Sequence, residues 1–214
     1  MTSNFSSNYD EFPLYKKLPN GKELLFIHLP KTAGTSINRT LQLPRPNDLW
    51  PKKHYDITEV KQVVPPEVLQ SAFLFSVVRN PWDRLVSFYF YRRKVYLQRA
   101  AQRTAERDQH FSSFATWVHS EQAAGLLGKK NLRPQCKWIC DEHKRPVVDF
   151  IGRFENISSD FQEICTCLGL PSIPLQFHNK SERPADYRVL YNDYLRDLVK
   201  EVYQPDIDLF GYQY

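Results

Sequence analysis

The sequence lacks a long apolar run, and no stretch approaches the roughly 18 apolar residues that a membrane-spanning helix needs. Its first 22 residues are polar and lack the apolar core of a secretion signal. Cysteine is scarce, and the 4 cysteines, at positions 136, 140, 165 and 167, do not form a disulfide-rich pattern. We therefore expect a protein of the reducing cytoplasm without a transmembrane segment.

Internal repeats and low-complexity tracts are also absent, and the composition excludes a disordered or fibrous protein. Hydrophobic residues make up 42% of the 214 residues and aromatic residues 14%, which is enough for a proper core. A net charge of +5 suits anionic ligands without requiring nucleic acid as a partner. We expect a polar extension over residues 1–21 and a single domain over residues 22–214.

Strand-like apolar runs alternate with helical segments along the chain. Such alternation predicts an α/β fold with a central, mainly parallel sheet flanked by helices. The expected strands cover residues 22–29, 73–79 and 147–152. The expected helices are a short one ending at Leu41, one over 82–108 with a break, one over 111–122, one capped by Ser159 and ending at Gly169, and one over 192–203.

The stretch FIHLPKTAGTS, residues 26–36, runs from a predicted strand through a tight turn into a predicted helix. Gly34 permits a turn that a side chain would obstruct, and Thr35 or Ser36 is suited to cap the helix. The N–H groups at a helix start and the positive end of its dipole attract an anion. Lys31 adds a mobile cation, so the stretch predicts a site for a phosphate-like group.

The stretch FSVVRNPWDRLVSFYF, residues 75–90, predicts a second anion site. Arg79 comes at the carboxyl end of a predicted strand, where open α/β sheets bind ligands, and Ser87 follows on the next helix. A guanidinium with its forked donors and a hydroxyl suit a terminal phosphate. The plainer alternatives are an ion pair between Arg79 and Asp83 and a packing role for Ser87.

HLPKTAGTS followed by VVRNPWDRLVSFY resembles the two signature segments of sulfotransferases that use 3′-phosphoadenosine 5′-phosphosulfate (PAPS). The two segments are most similar to the carbohydrate group that includes heparan sulfate 2-O-sulfotransferase. Weaker likenesses at residues 133–135, 151–155 and 209–212 extend the resemblance over most of residues 22–212. The chain differs from the membrane-anchored members of that group because it has no anchor-like run.

The resemblance implies a P-loop-like sulfotransferase fold and a site for each end of PAPS. It implies that Arg79 and Ser87 hold the 3′-phosphate. It also implies that the 5′-phosphosulfate is held by the loop residues Lys31, Thr32, Ala33, Gly34, Thr35 and Ser36. The implied activity is transfer of the sulfuryl group to a hydroxyl, with a carbohydrate or other small molecule as acceptor and no metal.

The transfer needs a base for the hydroxyl proton, and the six histidines supply the first candidates. His54 is the only histidine between the two segments, where the heparan sulfate 2-O-enzyme also has a histidine-containing segment, and imidazole accepts a proton near neutral pH. His28 lies inside a predicted strand and is expected to pack or to orient the loop. The other candidates for the base are Asp56, Glu59 and His178. Lys31 is the residue expected to meet the charge on the departing bridging oxygen.

Two other functions fit parts of the pattern. An ATP-dependent small-molecule kinase would also use a phosphate loop, but its lysine follows the last glycine, whereas Lys31 precedes Gly34. A non-catalytic binder of anionic polysaccharide is the other alternative. Arg92, Arg99, Arg103 and Arg107 are predicted to share one helix face, which either guides an acidic acceptor or is simply solvated. Residues 179–187 are a candidate for a loop that closes over the nucleotide.

Overall fold

A computed structural model of the protein describes residues 9–99, 101, 103–176 and 182–214. The strands are β1 (Tyr15–Lys17), β2 (Glu23–Ile27), β3 (Phe73–Val78) and β4 (Phe150–Arg153). The helices are α1 (Gly34–Thr40), α2 (Ile57–Val63), α3 (Pro66–Ser71), α4 (Pro81–Leu97), α5 (Ala105–His110), α6 (Phe114–Ala123), α7 (Cys136–Ile139), α8 (Ile157–Cys167), α9 (Asp193–Val202) and α10 (Gln204–Phe210).

The chain divides into two compact units. The sheet unit comprises the described parts of residues 1–78 and 135–178, and the helical unit comprises those of residues 79–134 and 179–214. In the part of the chain that the structure describes, no helix combines the length and apolar character needed to cross a bilayer.

The sheet unit is built on one sheet with the strand order β1-β2-β3-β4. β2 pairs with β3, and β3 with β4, in parallel, while β1 pairs with β2 antiparallel. The predicted α/β fold with a mainly parallel sheet is confirmed. β1 lies within the segment that the sequence analysis sets apart as an extension, and the predicted domain boundary stays a prediction.

Apolar side chains on one face of this sheet pack against α1 and α8. The sheet contributes Phe26 and Phe75, whose rings stack with centroids 4.8 Å apart. Ile37 from α1 and Phe161 from α8 join the same cluster and are fully buried. This packing fixes where β2 ends and α1 begins, and the turn between them carries the first signature segment.

The helical unit has its own core, formed mainly by α4, α6 and α9. Trp117 of α6 and Val199 of α9 are buried with Tyr89 of α4. Asn80 caps α4, because its side chain accepts hydrogen bonds from the backbone N–H groups of Trp82 and Asp83. The start of α4, which carries the second signature segment, is therefore held at both its cap and its apolar face.

The starts of the third strand and of the helix assigned to Ser159 differ from those predicted. The third strand begins at Phe150 and not at Val147, because the Val147 N–H donates to the Ile139 carbonyl, 2.9 Å away, outside the ladder. Ser159 does not cap α8, since the helix has already begun at Ile157. Its hydroxyl donates instead to the Asn156 carbonyl at 2.8 Å.

Candidate functional site

The turn between β2 and α1 places two residues in the left-handed backbone region. Lys31 has a φ of 71° and Ala33 a φ of 65°, while Thr32 between them does not have a positive φ. The buried Thr32 hydroxyl donates to the Leu29 carbonyl at 3.0 Å and closes the turn. Alternating conformations of this kind direct successive N–H groups to one concave side, and strained residues concentrate at functional sites.

Gly34 is packed against the imidazole of His28. A Cβ at position 34 would lie 1.8 Å from His28 Cδ2 and 2.0 Å from Nε2. His28 is 2% exposed, and its ring stacks on Phe26 at 5.5 Å, so the ring has nowhere to move. Position 34 therefore requires glycine because a side chain does not fit there. The positive φ angles of the turn occur at Lys31 and Ala33 instead.

Helix α1 begins without a hydroxyl cap, and the predicted capping by Thr35 or Ser36 is wrong. Ala33 is the N-cap, and its carbonyl accepts from the N–H groups of Ser36 at 2.8 Å and Ile37 at 3.2 Å. Thr35 and Ser36 therefore lie inside the first helical turn. The Thr35 hydroxyl accepts a hydrogen bond from Lys53 Nζ at 2.9 Å.

His54 lies beside this turn and is held by a backbone hydrogen bond. Its Nδ1 is 2.8 Å from the carbonyl oxygen of His28. Because a carbonyl only accepts, Nδ1 carries the hydrogen, and the neutral ring has its proton-accepting lone pair on Nε2. The ring also packs edge-on against His28 and Trp138, with ring centroids 4.5 and 6.2 Å apart. The predicted base thus lies next to the predicted phosphate loop, and its hydrogen bond to the His28 carbonyl selects the tautomer with the hydrogen on Nδ1.

Asp56 and Glu59 have structural partners. They form a capping box at the start of α2, in which Asp56 Oδ1 accepts from the Glu59 N–H at 2.9 Å and Glu59 accepts from the Asp56 N–H at 3.0 Å. Glu59 also accepts from Lys52 Nζ. A carboxylate engaged in this way stabilises a helix end, which favours His54 over these two candidates. His178, the remaining candidate, lies outside the described residues.

Arg79 forms an ion pair with Asp83, which was the plainer of the two roles expected for it. Arg79 Nε and Nη2 donate to Asp83 Oδ2 at 2.8 and 2.7 Å, and the two side chains are only 4% and 12% exposed. Arg183 donates to the other oxygen, Oδ1, of the same carboxylate. Ser87 is buried one turn further along α4, on the face that carries Asp83. These two guanidiniums and one carboxylate together carry a net positive charge.

Comparison with known proteins decides the family. The model of the sulfotransferase family matches residues 20–213, which is nearly the whole chain. The chain belongs to the sulfotransferase family. It is accordingly a PAPS-dependent transferase, and this membership excludes the kinase alternative. The family match and the four-stranded sheet agree with the predicted fold class.

One solved structure similar to this sulfotransferase is the sulfotransferase from Alicyclobacillus acidocaldarius. The two chains are 15% identical, with a TM-score of 0.37, and the match covers 88% of this chain and 96% of the other. No curated protein matches this chain. The specific likeness to heparan sulfate 2-O-sulfotransferase stays a prediction.

Sequence reasoning missed two positively charged residues of the sulfotransferase. Two lysines precede His54 in the sequence, and local pattern does not indicate which of them contacts the loop. In the structure that residue is Lys53. Arg183 lies in the segment predicted to close over the nucleotide, of which residues 179–181 fall outside the described part. Its partner across 100 residues, Asp83, is a contact that local sequence patterns do not reveal.

The four arginines do not share one helix face, so that prediction is wrong. α4 ends at Leu97, and α5 begins at Ala105. Arg103 lies between the two helices and pairs with Asp108 at 3.0 Å. The other three arginines line an open cleft of about 480 Å³ together with Val95, Tyr96, Glu106, His110 and Phe111.

The cysteines do not form a recognisable metal centre in the described residues. Within that part of the chain, no group of three or more His, Cys, Asp or Glu side chains has an arrangement suited to a metal ion. All four cysteines are free thiols. Of the three residues with metal-like spacing, Cys136 and Cys140 are half-buried and His143 is exposed.

His28 is expected to make the stability of this sulfotransferase depend on pH. Burial lowers the pKa of His28 well below the ordinary value of 6.5, and the nearby His54, Lys53 and Lys31 lower it further. In the described part of the chain, its buried Nδ1 has no hydrogen-bond partner. The folded protein therefore keeps this imidazole neutral under conditions in which the unfolded chain protonates it.

The expected result is a loss of stability as the pH falls below about 6.5, because the unfolded state then binds a proton that the folded state does not. The contribution of His28 approaches 1.4 kcal/mol per pH unit in that range. Urea unfolding between pH 5 and 7 measures it. His28→Gln should reduce the slope, whereas His143→Gln, which changes an exposed ring, should not. An equal slope in both variants would assign the effect to other groups.

Proposed function

We propose that this sulfotransferase moves the sulfuryl group of PAPS to a hydroxyl of a carbohydrate or other small molecule. Lys31, Thr32, Ala33, Gly34, Thr35 and Ser36 bind the 5′-phosphosulfate, and Arg79 with Ser87 binds the 3′-phosphate. The observation that carries the proposal is the position of His54, whose Nδ1 is bonded to the His28 carbonyl beside the loop. A base fixed next to an anion site is what transfer to a hydroxyl requires.

The residues present fit the two ends of the donor. The turn offers backbone N–H groups in alternating conformations together with the Lys31 ammonium. In the helical unit, Asp83 draws together the guanidiniums of Arg79 and Arg183, and two neighbouring cations attract a phosphate.

The chemistry assigns one role to each catalytic group. His54 Nε2 takes the proton from the acceptor hydroxyl while the acceptor oxygen forms its bond to sulfur in line with the departing oxygen. Lys31 stabilises the negative charge that gathers on the bridging oxygen as the bond from that oxygen to sulfur breaks. The products are a sulfate ester and adenosine 3′,5′-bisphosphate. Protein donors hold the charges, so the proposed reaction uses no metal.

The proposal also covers the acceptor class and the compartment. A carbohydrate or other small hydroxylated molecule is supported by the resemblance of the two signature segments to carbohydrate sulfotransferases. The reducing cytoplasm is supported by the four free thiols.

Binding of adenosine 3′,5′-bisphosphate in the presence of EDTA tests the proposal. We expect the melting temperature to rise with nucleotide concentration, since a ligand that binds only the folded state stabilises it by mass action. ATP with magnesium should give a much smaller shift. Transfer of labelled sulfate from PAPS to a panel of sugars and phenols then identifies the acceptor. A protein that responds to ATP–magnesium and ignores the bisphosphate would contradict the proposal.

A further inference from the structure

Lys53 connects two parts of the sheet unit that the proposed reaction uses. It directly precedes His54 in the segment between α1 and α2, and its Nζ donates to Thr35 Oγ1 at 2.9 Å. Thr35 lies in the first turn of α1, within the predicted phosphate loop. The ammonium of Lys53 is therefore placed at the loop by a hydrogen bond to one of the loop's own residues.

Several positively charged side chains lie near this point. Lys53 is exposed as a residue, but desolvation of its ammonium lowers the pKa, and Arg39 lowers it further. Lys53 and Lys31 both act on the pKa of His28, so the two ammonium groups lie within electrostatic range of the same buried ring. In the described part of the chain, no carboxylate forms an ion pair with Lys53. A cluster of like charges of this kind is stabilised by a bound anion.

The neighbouring Lys52 has a different role. Its Nζ bonds to Glu59 of α2, and its side chain is 59% exposed. The two adjacent lysines therefore contact different parts of the sheet unit. Lys52 contacts Glu59 of the α2 capping box, and Lys53 contacts Thr35 of the phosphate loop. Lys52 is a matched control for any test of Lys53.

We propose that Lys53 is a second cationic ligand for the 5′-phosphosulfate end of the donor, in addition to Lys31. An ammonium has three N–H donors, and Thr35 accepts one of them, which leaves two for oxygens of an anion in the loop. The same contact also holds the segment that carries His54. Lys53 therefore positions both the sulfuryl donor and the base. The inference rests on the proposed function, because it assumes that the loop binds the 5′ end.

Truncation of the nucleotide tests this assignment. Affinities for adenosine 3′,5′-bisphosphate and for adenosine 3′-monophosphate are measured by calorimetry for the unaltered protein, Lys53→Met and Lys52→Met. We expect Lys53→Met to weaken binding of the bisphosphate about tenfold, which is about 1.4 kcal/mol. Binding of the monophosphate, which lacks the 5′ group, should change less than twofold. Lys52→Met should leave both affinities unchanged.

The possible results separate the inference from the proposed function. Equal losses for both nucleotides in Lys53→Met would mean that the substitution disturbs the fold of the loop, and would overturn the inference. Unchanged affinity for both would overturn it as well. Lys53→Arg keeps the charge and should recover part of the lost affinity for the bisphosphate. If the unaltered protein binds neither nucleotide, the proposed function itself fails, and the inference fails with it.

Discussion

Gly34→Ala is expected to destabilise the protein by about 3 kcal/mol and to weaken binding of adenosine 3′,5′-bisphosphate more than tenfold. The added Cβ would lie 1.8 Å from the His28 ring, which is far shorter than a van der Waals contact. His28 is enclosed by Phe26 and His54, so the backbone of the loop must shift instead. Urea unfolding and calorimetry of the purified variant measure the two effects.

A double-mutant cycle identifies the cause of this loss. His28→Ala removes the ring that the new methyl group meets, although it also leaves a cavity. If crowding is the cause, Gly34→Ala should cost 1–3 kcal/mol less in the His28→Ala background than in the unaltered protein, by the usual size of coupling between residues in contact. Additive effects of the two substitutions would show that glycine is needed at position 34 for another reason.

His54→Asn is expected to lower kcat at least a hundredfold, the usual minimum for loss of a general base, and to leave nucleotide affinity nearly unchanged. An asparagine amide can still donate to the His28 carbonyl in place of Nδ1, so the segment should keep its position. The base at Nε2 is lost. Initial rates at saturating PAPS and acceptor measure the effect, and the acidic limb of the pH–rate profile should disappear with it.

Asp56→Asn and Glu59→Gln are the comparison for His54→Asn. Both carboxylates belong to the α2 capping box, where asparagine and glutamine can make the same hydrogen bonds, so both stability and kcat should change little. Full turnover in His54→Asn would exclude His54 as the base. A large loss of turnover in one of the carboxylate variants would instead transfer the role to that residue.

The sequence predicted those parts of the fold that depend on local pattern. The apolar runs around residues 23–27 and 73–78 became neighbouring parallel strands, because a continuous run of buried residues is the signature of such strands. The helix expected from residue 82 begins one residue earlier, at Pro81, since a helix start depends only on the next few residues. The predicted hydroxyl cap of α1 is wrong because the N-cap is Ala33. Its left-handed conformation is one that no local preference of alanine indicates.

The sequence by itself determined the fold class, the two signature segments and, through them, the family. These rest on the order and spacing of residues along the chain, which folding does not change. Only the tertiary structure decided that Gly34 is needed for the His28 ring, that Lys53 and not Lys52 reaches Thr35, and that Asp83 joins Arg79 to Arg183. Each of these contacts joins residues through space, and its existence depends on how whole strands and helices pack.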